Sequence, residues 1–212
     1  MTKPMVLCID RFALEEQNIP LPANGIYPFD LQQIDAQDYQ FINRKVCDDK
    51  DEHSFNHSVG YRFPQILPYI AIMDLDGNYL TYSRNGTETR LHGSRSLGIG
   101  GHVDIDDLVA ITQNYPNHIN EVIYASTIRE LEEEISWQDY DDYLAVEFEK
   151  IIVDTTNSVG EVHVGLTTTL IVERDTIQPQ EELHDPQWLS VEELKANIDQ
   201  YENWSKLIIK EL

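Results

Sequence analysis

The stretch Arg129-Glu130-Leu131-Glu132-Glu133-Glu134-Ile135 decides how the chain is read. Tyr124, Ile128, Leu131 and Ile135 recur at the spacing of one α-helical face. At roughly 100° per residue, Glu130, Glu133 and Glu134 fall within about 100° of one another on a different face. Three neighbouring carboxylates repel unless solvent or a cation relieves them. A solvated acidic helix face would account for them, and so would a site for a hard divalent ion such as Mg²⁺, which prefers oxygen ligands. The residues around the stretch decide between the two.

Outward from it, 212 residues suit one domain with extensions or two small ones, and an apolar share of 41% is enough to pack a core. The net charge of −23 argues against non-specific nucleic-acid binding and against an anionic membrane surface. A phosphate-bearing substrate would need metal ions or a local basic cluster to approach. Cys8 and Cys47 make no disulfide framework and no metal-like spacing. The chain has no run of transmembrane length, and its N-terminal apolar run is too short for a signal peptide, so a cytoplasmic protein is the simplest expectation.

Residues 1–66 read as an extension packed on a main domain at 67–198, with a terminal helix over 199–212. Met5–Ile9 predicts a strand. Pro20, Pro22, Gly25 and Pro28 predict a loop, and Leu31–Arg44 a short helix with Asp35 as its cap. Leu67–Leu75 and Tyr79–Ser83 read as a hairpin around Asp76-Gly77. Arg84, Arg90 and Arg95 then cluster within twelve residues of an otherwise acidic chain. Ordinary surface arginines or a phosphate-binding edge both fit, since arginine presents a planar fork to phosphate oxygens. Ser96–Val103 carries Gly98, Gly100 and Gly101. It is neither a dinucleotide fingerprint nor a P-loop. Asp104–Asn120 reads as a polar loop with room for a short helix, and Glu121–Trp137 as the acidic helix. Ala145–Asp154 and Val162–Glu173 read as a strand pair, and Trp188-Leu189 as the start of a new unit. Ser190 and Glu193 form a capping box. The irregular alternation of strands and helices suggests an α/β (α+β) fold with helices on the faces of a mixed sheet.

Gly100-Gly101 upstream of Arg129–Ile135 resembles the Nudix box of the Nudix hydrolases. The core Arg-Glu-Leu-x-Glu-Glu matches at Arg129, Glu130, Leu131, Glu133 and Glu134, and Glu121 keeps the seven-residue gap before Arg129. The flanking hairpin, the later strands and the segment Trp188–Leu194 also fit, so the resemblance covers about residues 66–198. Two departures stand out. Gly101 and Glu121 lie 20 positions apart where the pattern has 6, an insertion of about 14 residues. Ser136 and Trp137 replace a glycine and an aliphatic residue.

The resemblance implies an α/β/α sandwich with a mixed sheet and hydrolysis of a diphosphate linkage, X-P-P-Y. Within it, Glu130, Glu133, Glu134 and the Gly100 carbonyl would bind Mg²⁺ or Mn²⁺. Arg129 would orient Glu121 or Glu130, and Glu133 or Glu134 would take the proton of the attacking water. Glu161, Glu173, Glu181 and Glu182 stay open as bases outside the motif. His102 reads as a structural or substrate-side residue, His163 as a packed one. The partner expected is a small phosphate-containing substrate, with neither nucleic acid nor membrane. The insertion has the size for a lid or a subunit contact, so a homodimer is an assembly it allows. Two other readings compete. A non-catalytic sensing or protein-binding module would be expected to lose the box glutamates. An isopentenyl-diphosphate isomerase would use a cysteine and a glutamate outside the box.

Overall fold

The computed structural model describes residues 4–48, 59–84, 93–112, 119–137 and 146–212. In chain order the elements are β1 (Met5–Ile9), α1 (Arg11–Glu16), β2 (Asn24–Pro28), β3 (Tyr39–Asn43), α2 (Arg44–Asp48), α3 (Val59–Arg62), β4 (Gln65–Asp74), β5 (Tyr79–Ser83), β6 (Arg95–Ser96) and β7 (Gly98–Ile99). There follow α4 (Ile105–Thr112), α5 (Ile119–Ile135), β8 (Lys150–Asp154), β9 (His163–Val172), β10 (His184–Leu189), α6 (Val191–Ala196) and α7 (Asn203–Glu211). This is the mixed α/β class that the alternation of patterns predicts. Among the described residues no helix is long and apolar enough to cross a membrane.

Contacts divide the chain into two units. The first takes residues 1–68, 101–127 and 148–167. In it β1 pairs antiparallel with β3, Cys8 opposite Gln40, and meets the start of β4 at Gln65. β2 pairs antiparallel with β8, and β8 with the first half of β9. Ile151, Ile152 and Val153 are buried in succession, as in a strand covered on both faces.

Several expectations for this unit are corrected. The proline-punctuated stretch contains a strand, because β2 ends its sheet and Pro28 stands at its last position, where a missing N–H is tolerated. Leu31–Arg44 holds two 3-10 turns and β3 in place of a helix. Asp30, not Asp35, supplies the capping carboxylate, accepting from the Gln32 N–H at 2.9 Å. Of the strand expected over Ala145–Asp154, Ala145 lies outside the described residues and the described part forms a strand at β8. Asp104–Asn120 contributes α4; its residues 113–118 lie outside the described residues.

The second unit takes residues 69–100, 128–147 and 168–212. β5 pairs antiparallel with β4, β6 and β10, and β7 pairs with β4 at Ile70. The Asp76-Gly77 turn forms as its sequence predicts. Gly77 takes φ +82°, and the buried Asp74 carboxylate accepts the N–H groups of Asp76 and Asn78 at 2.9 and 2.8 Å. Trp188 and Leu189 close β10 and do not open a new unit. The Ser190–Glu193 capping box is present on α6.

The buried face of α5 is Val122, Ile123, Ser126, Thr127, Leu131 and Ile135, sharing Leu131 and Ile135 with the one that apolar spacing picks out. Tyr124 and Ile128 are only half-buried. Thr127 joins that face because its hydroxyl donates to the Ile123 carbonyl at 2.8 Å, which satisfies its polar atom within the helix.

Candidate active site

The C-terminal part of α5 carries the acidic motif in the second unit. Burial of Leu131 and Ile135 fixes the helix rotation and so the face on which the glutamates stand. Arg129 Nη1 donates to Glu130 at 2.6 Å and to Glu133 at 3.4 Å. Glu130 is largely buried, with 13% of its side chain exposed, whereas Glu133 is open at 59%. Glu121 lies in the helix's first turn and is exposed.

Glu134 is the most perturbed carboxyl of the group. Burial, then the charges of Glu130, Glu182 and Glu133, push its pKa up to about 8, against a partial offset from Arg84. The helix end adds to the strain: α5 has no basic residue in its last turn to answer the negative end of the helix dipole. Of the four carboxylates left open outside the motif, Glu182 therefore acts on the cluster. Its segment is tied to the helix end, with the Gln178 N–H on the Ile135 carbonyl at 2.7 Å and the Gln180 N–H on the Glu134 carbonyl at 2.8 Å.

Ser136 adds to that tie. Where the motif has glycine, Ser136 adopts φ +43°, the left-handed conformation that ends many helices. Its N–H still bonds the Glu132 carbonyl at 3.1 Å, and its hydroxyl accepts from Gln180 Nε2 at 2.6 Å. The side chain thus helps hold a conformation that glycine would adopt without steric cost. Trp137, in the aliphatic place, is buried.

The glycine segment has its own constraint. A Cβ on Gly98 would stand 2.1 Å from the Tyr69 ring, so a side chain there would displace the tyrosine. The Gly98 carbonyl accepts from the Tyr82 hydroxyl at 2.8 Å, and Gly100 follows at φ +150°. Tyr69 hydrogen-bonds Ser205 Oγ at 2.8 Å and the Glu202 carboxylate, while Glu202 caps α7 through the N–H groups of Trp204 and Ser205.

The arginines divide. Burial works against the charge of Arg84, but Tyr82, Tyr69, Glu202 and Glu134 outweigh it and hold its pKa above the ordinary value. Arg95 is engaged by the protein itself. Nη1 reaches Asp185 at 2.9 Å and Ser83 at 3.3 Å, and Nη2 reaches Thr81 at 2.8 Å. Arg90 lies outside the described residues. His102 stands in the first unit, its ring edge-on to His163 at 5.5 Å.

Among the described residues no three His, Cys, Asp or Glu side chains converge as a ready-made metal-ligand set. The donor chemistry nonetheless fits a hard divalent cation. Glu130, Glu133 and Glu134 offer only oxygen, and their mutual repulsion at Glu134 is what a cation would relieve. Sequence reasoning missed the left-handed turn at Ser136 and the singling out of Glu182. A glycine position filled by serine was the available signal for the first. Nothing local marks the second, because its proximity is tertiary.

No family model matches the chain. Protein YmaB of Bacillus subtilis (strain 168) is 34% identical over 155 residues, which cover 70% of each chain. The crystal structure of Tm1382, described as a presumed Nudix hydrolase, superposes with a TM-score of 0.70 at 22% identity, covering 97% of this chain and 96% of that one. The chain therefore belongs to the same family as protein YmaB, and it carries the Nudix fold.

Proposed function

We propose that the protein is a metal-dependent hydrolase that cleaves a diphosphate linkage, X-P-P-Y, in a nucleoside diphosphate derivative or a related pyrophosphate. The observation that carries this reading is the carboxylate cluster at the end of α5, where burial, then the charges of Glu130, Glu182 and Glu133, push the pKa of Glu134 up to about 8. A chain gains nothing in stability from crowding carboxylates at a helix C-terminus, so a role for them in binding is the economical account. The likeness to Tm1382 supports the same class at the level of fold.

Bound Mg²⁺ or Mn²⁺ would supply charge neutralisation on the phosphate oxygens and a water acidic enough to attack at neutral pH. Glu130, Glu133, Glu134 and the Gly100 carbonyl are the groups to hold it. Arg129 keeps Glu130 in place through the 2.6 Å ion pair. Glu133 or Glu134 accepts the proton of the attacking water at a carboxylate oxygen, with Glu182 the nearest alternative by its charge coupling. Arg84 brings positive charge to the same carboxylates and is the arginine we assign to the departing phosphate.

The test is a phosphate-release screen over nucleoside diphosphate derivatives, nucleoside triphosphates, dinucleotides and non-nucleotide pyrophosphates. It is run with Mg²⁺, with Mn²⁺ and with chelator, beside Glu133→Gln and Glu134→Gln. We expect metal-dependent turnover of at least one class and its loss in one or both variants. Absence of turnover with either metal, or full activity in both variants, overturns the reading.

A further inference from the structure

Cys8 and Cys47 lie 39 positions apart in the sequence, and their sulfurs stand 3.7 Å apart in the first unit. Both side chains are fully buried, in a cluster with Val6 that Ile42 and Phe63 cover. The two thiols are held from opposite sides. Cys8 sits mid-strand in β1, opposite Gln40 on one flank and Gln65 on the other. Cys47 is fixed by α2, whose Asp48 accepts from Gln65 Nε2 at 3.2 Å. Behind it Gly60 packs so closely that a Cβ there would stand 2.1 Å from the Cys47 carbonyl oxygen. The pair is thus presented sulfur to sulfur by ordered backbone on both sides, and nothing in the proposed hydrolysis uses it.

We propose that Cys8 and Cys47 are a redox-active dithiol that a peroxide converts to an intrachain disulfide joining β1 to α2. The sulfurs need to close from 3.7 Å to about 2 Å, a displacement that side-chain rotation and a small shift of the five-residue α2 can supply. Cys8 has a second acceptor for its proton, the Val6 carbonyl at 3.5 Å, and the hydrogen bond between the thiols, then burial, raise its pKa, while the same bond lowers that of Cys47; Cys47 is therefore the first nucleophile. Its thiolate sulfur attacks one peroxide oxygen and breaks the O–O bond. The other oxygen leaves as water with the proton the thiol gave up. The Cys8 sulfur then attacks the Cys47 sulfenic acid, the S–S bond forms, and the hydroxyl leaves as a second water with the Cys8 proton. Two thiols lose two electrons and two protons, and the peroxide gains them. A small uncharged oxidant suits the site, since neither sulfur reaches the surface.

The experiment treats the folded full-length protein with hydrogen peroxide, quenches it, alkylates it in denaturant and reads intact mass and non-reduced peptides. The expected product has lost two hydrogens and takes up no alkylating agent. It yields a Cys8 peptide joined to a Cys47 peptide, and it returns to two alkylated thiols after dithiothreitol. Cys8→Ser leaves Cys47 as a sulfenic or higher acid, and Cys47→Ser leaves Cys8 slower to oxidise. Should either variant fold poorly, the peptide mapping of the parent protein still decides. Two alkylatable thiols after peroxide, stepwise over-oxidation without a cross-link, or cross-links between chains would each overturn the proposal.

Discussion

Two Glu-Glu pairs of the second unit, one near the end of α5 and one at the start of α6, meet opposite fates. On α6, Glu192 and Glu193 occupy the first turn, where the helix dipole welcomes negative charge. Hydrogen bonds from the Ser190 backbone N–H and hydroxyl lower the Glu193 pKa, which is the ordinary economy of a capping box. On α5, Glu133 and Glu134 occupy the last turn, where the dipole opposes them, and burial beside Glu130 and Glu182 raises Glu134 to about 8. One dipeptide serves stability and the other costs it. A motif of carboxylates is therefore informative only together with its place on the helix.

The comparison breaks first at activity. Glu134→Gln should lower turnover of any diphosphate substrate by roughly 10²-fold or more, whereas Ser190→Ala should leave turnover unchanged. Matched kinetics on the two variants read the difference, and equal effects would erase the distinction between the helices.

Next comes pH. In the metal-free protein Glu134 keeps its proton up to about pH 8, while an unfolded glutamate releases it near 4.5. Folding thus binds a proton in that window, and its contribution to stability, complete below pH 4.5, is lost as pH rises through 8. The loss is on the order of 3–5 kcal/mol. Urea unfolding at pH 5 and pH 9 in chelator measures it. Glu134→Gln should flatten the slope, and Mg²⁺ should recover stability at the high-pH end.

Smaller effects sharpen the structural side. Ser190→Ala should cost about 1 kcal/mol through loss of the α6 cap. Chemical denaturation gives that figure, and a value near zero would mean the cap is idle. At the end of α5, Ser136→Gly should change stability by less than about 1 kcal/mol. Relief of the left-handed φ offsets loss of the 2.6 Å bond from Gln180. Ser136→Ala loses the bond without that relief, so it should be the less stable of the two; the reverse order would show that the left-handed φ carries no steric cost.

Legibility in the sequence followed the range of the interactions. The acidic helix, the Asp76-Gly77 hairpin and the α6 cap were readable because each is set by contacts within a few residues. The Nudix-like core at Arg129–Glu134 was readable for the same reason. β2 was not, because partnership with β8 overrode the prolines before it and Pro28 at its end. The expected stripe of α5 is half met: Leu131 and Ile135 are buried, but Thr127, whose hydroxyl bonds inside the helix, is buried where Tyr124 and Ile128 are not.

By itself, then, the sequence determined the class of fold, the acidic helix and the identity of its carboxylates, since local periodicity and side-chain chemistry are enough for those. Tertiary structure alone decided which charges act on Glu134, that Arg95 is taken up by Asp185 and Thr81, and that Cys8 meets Cys47. Burial and charge coupling depend on distances between residues far apart in the chain, and no local pattern encodes those distances.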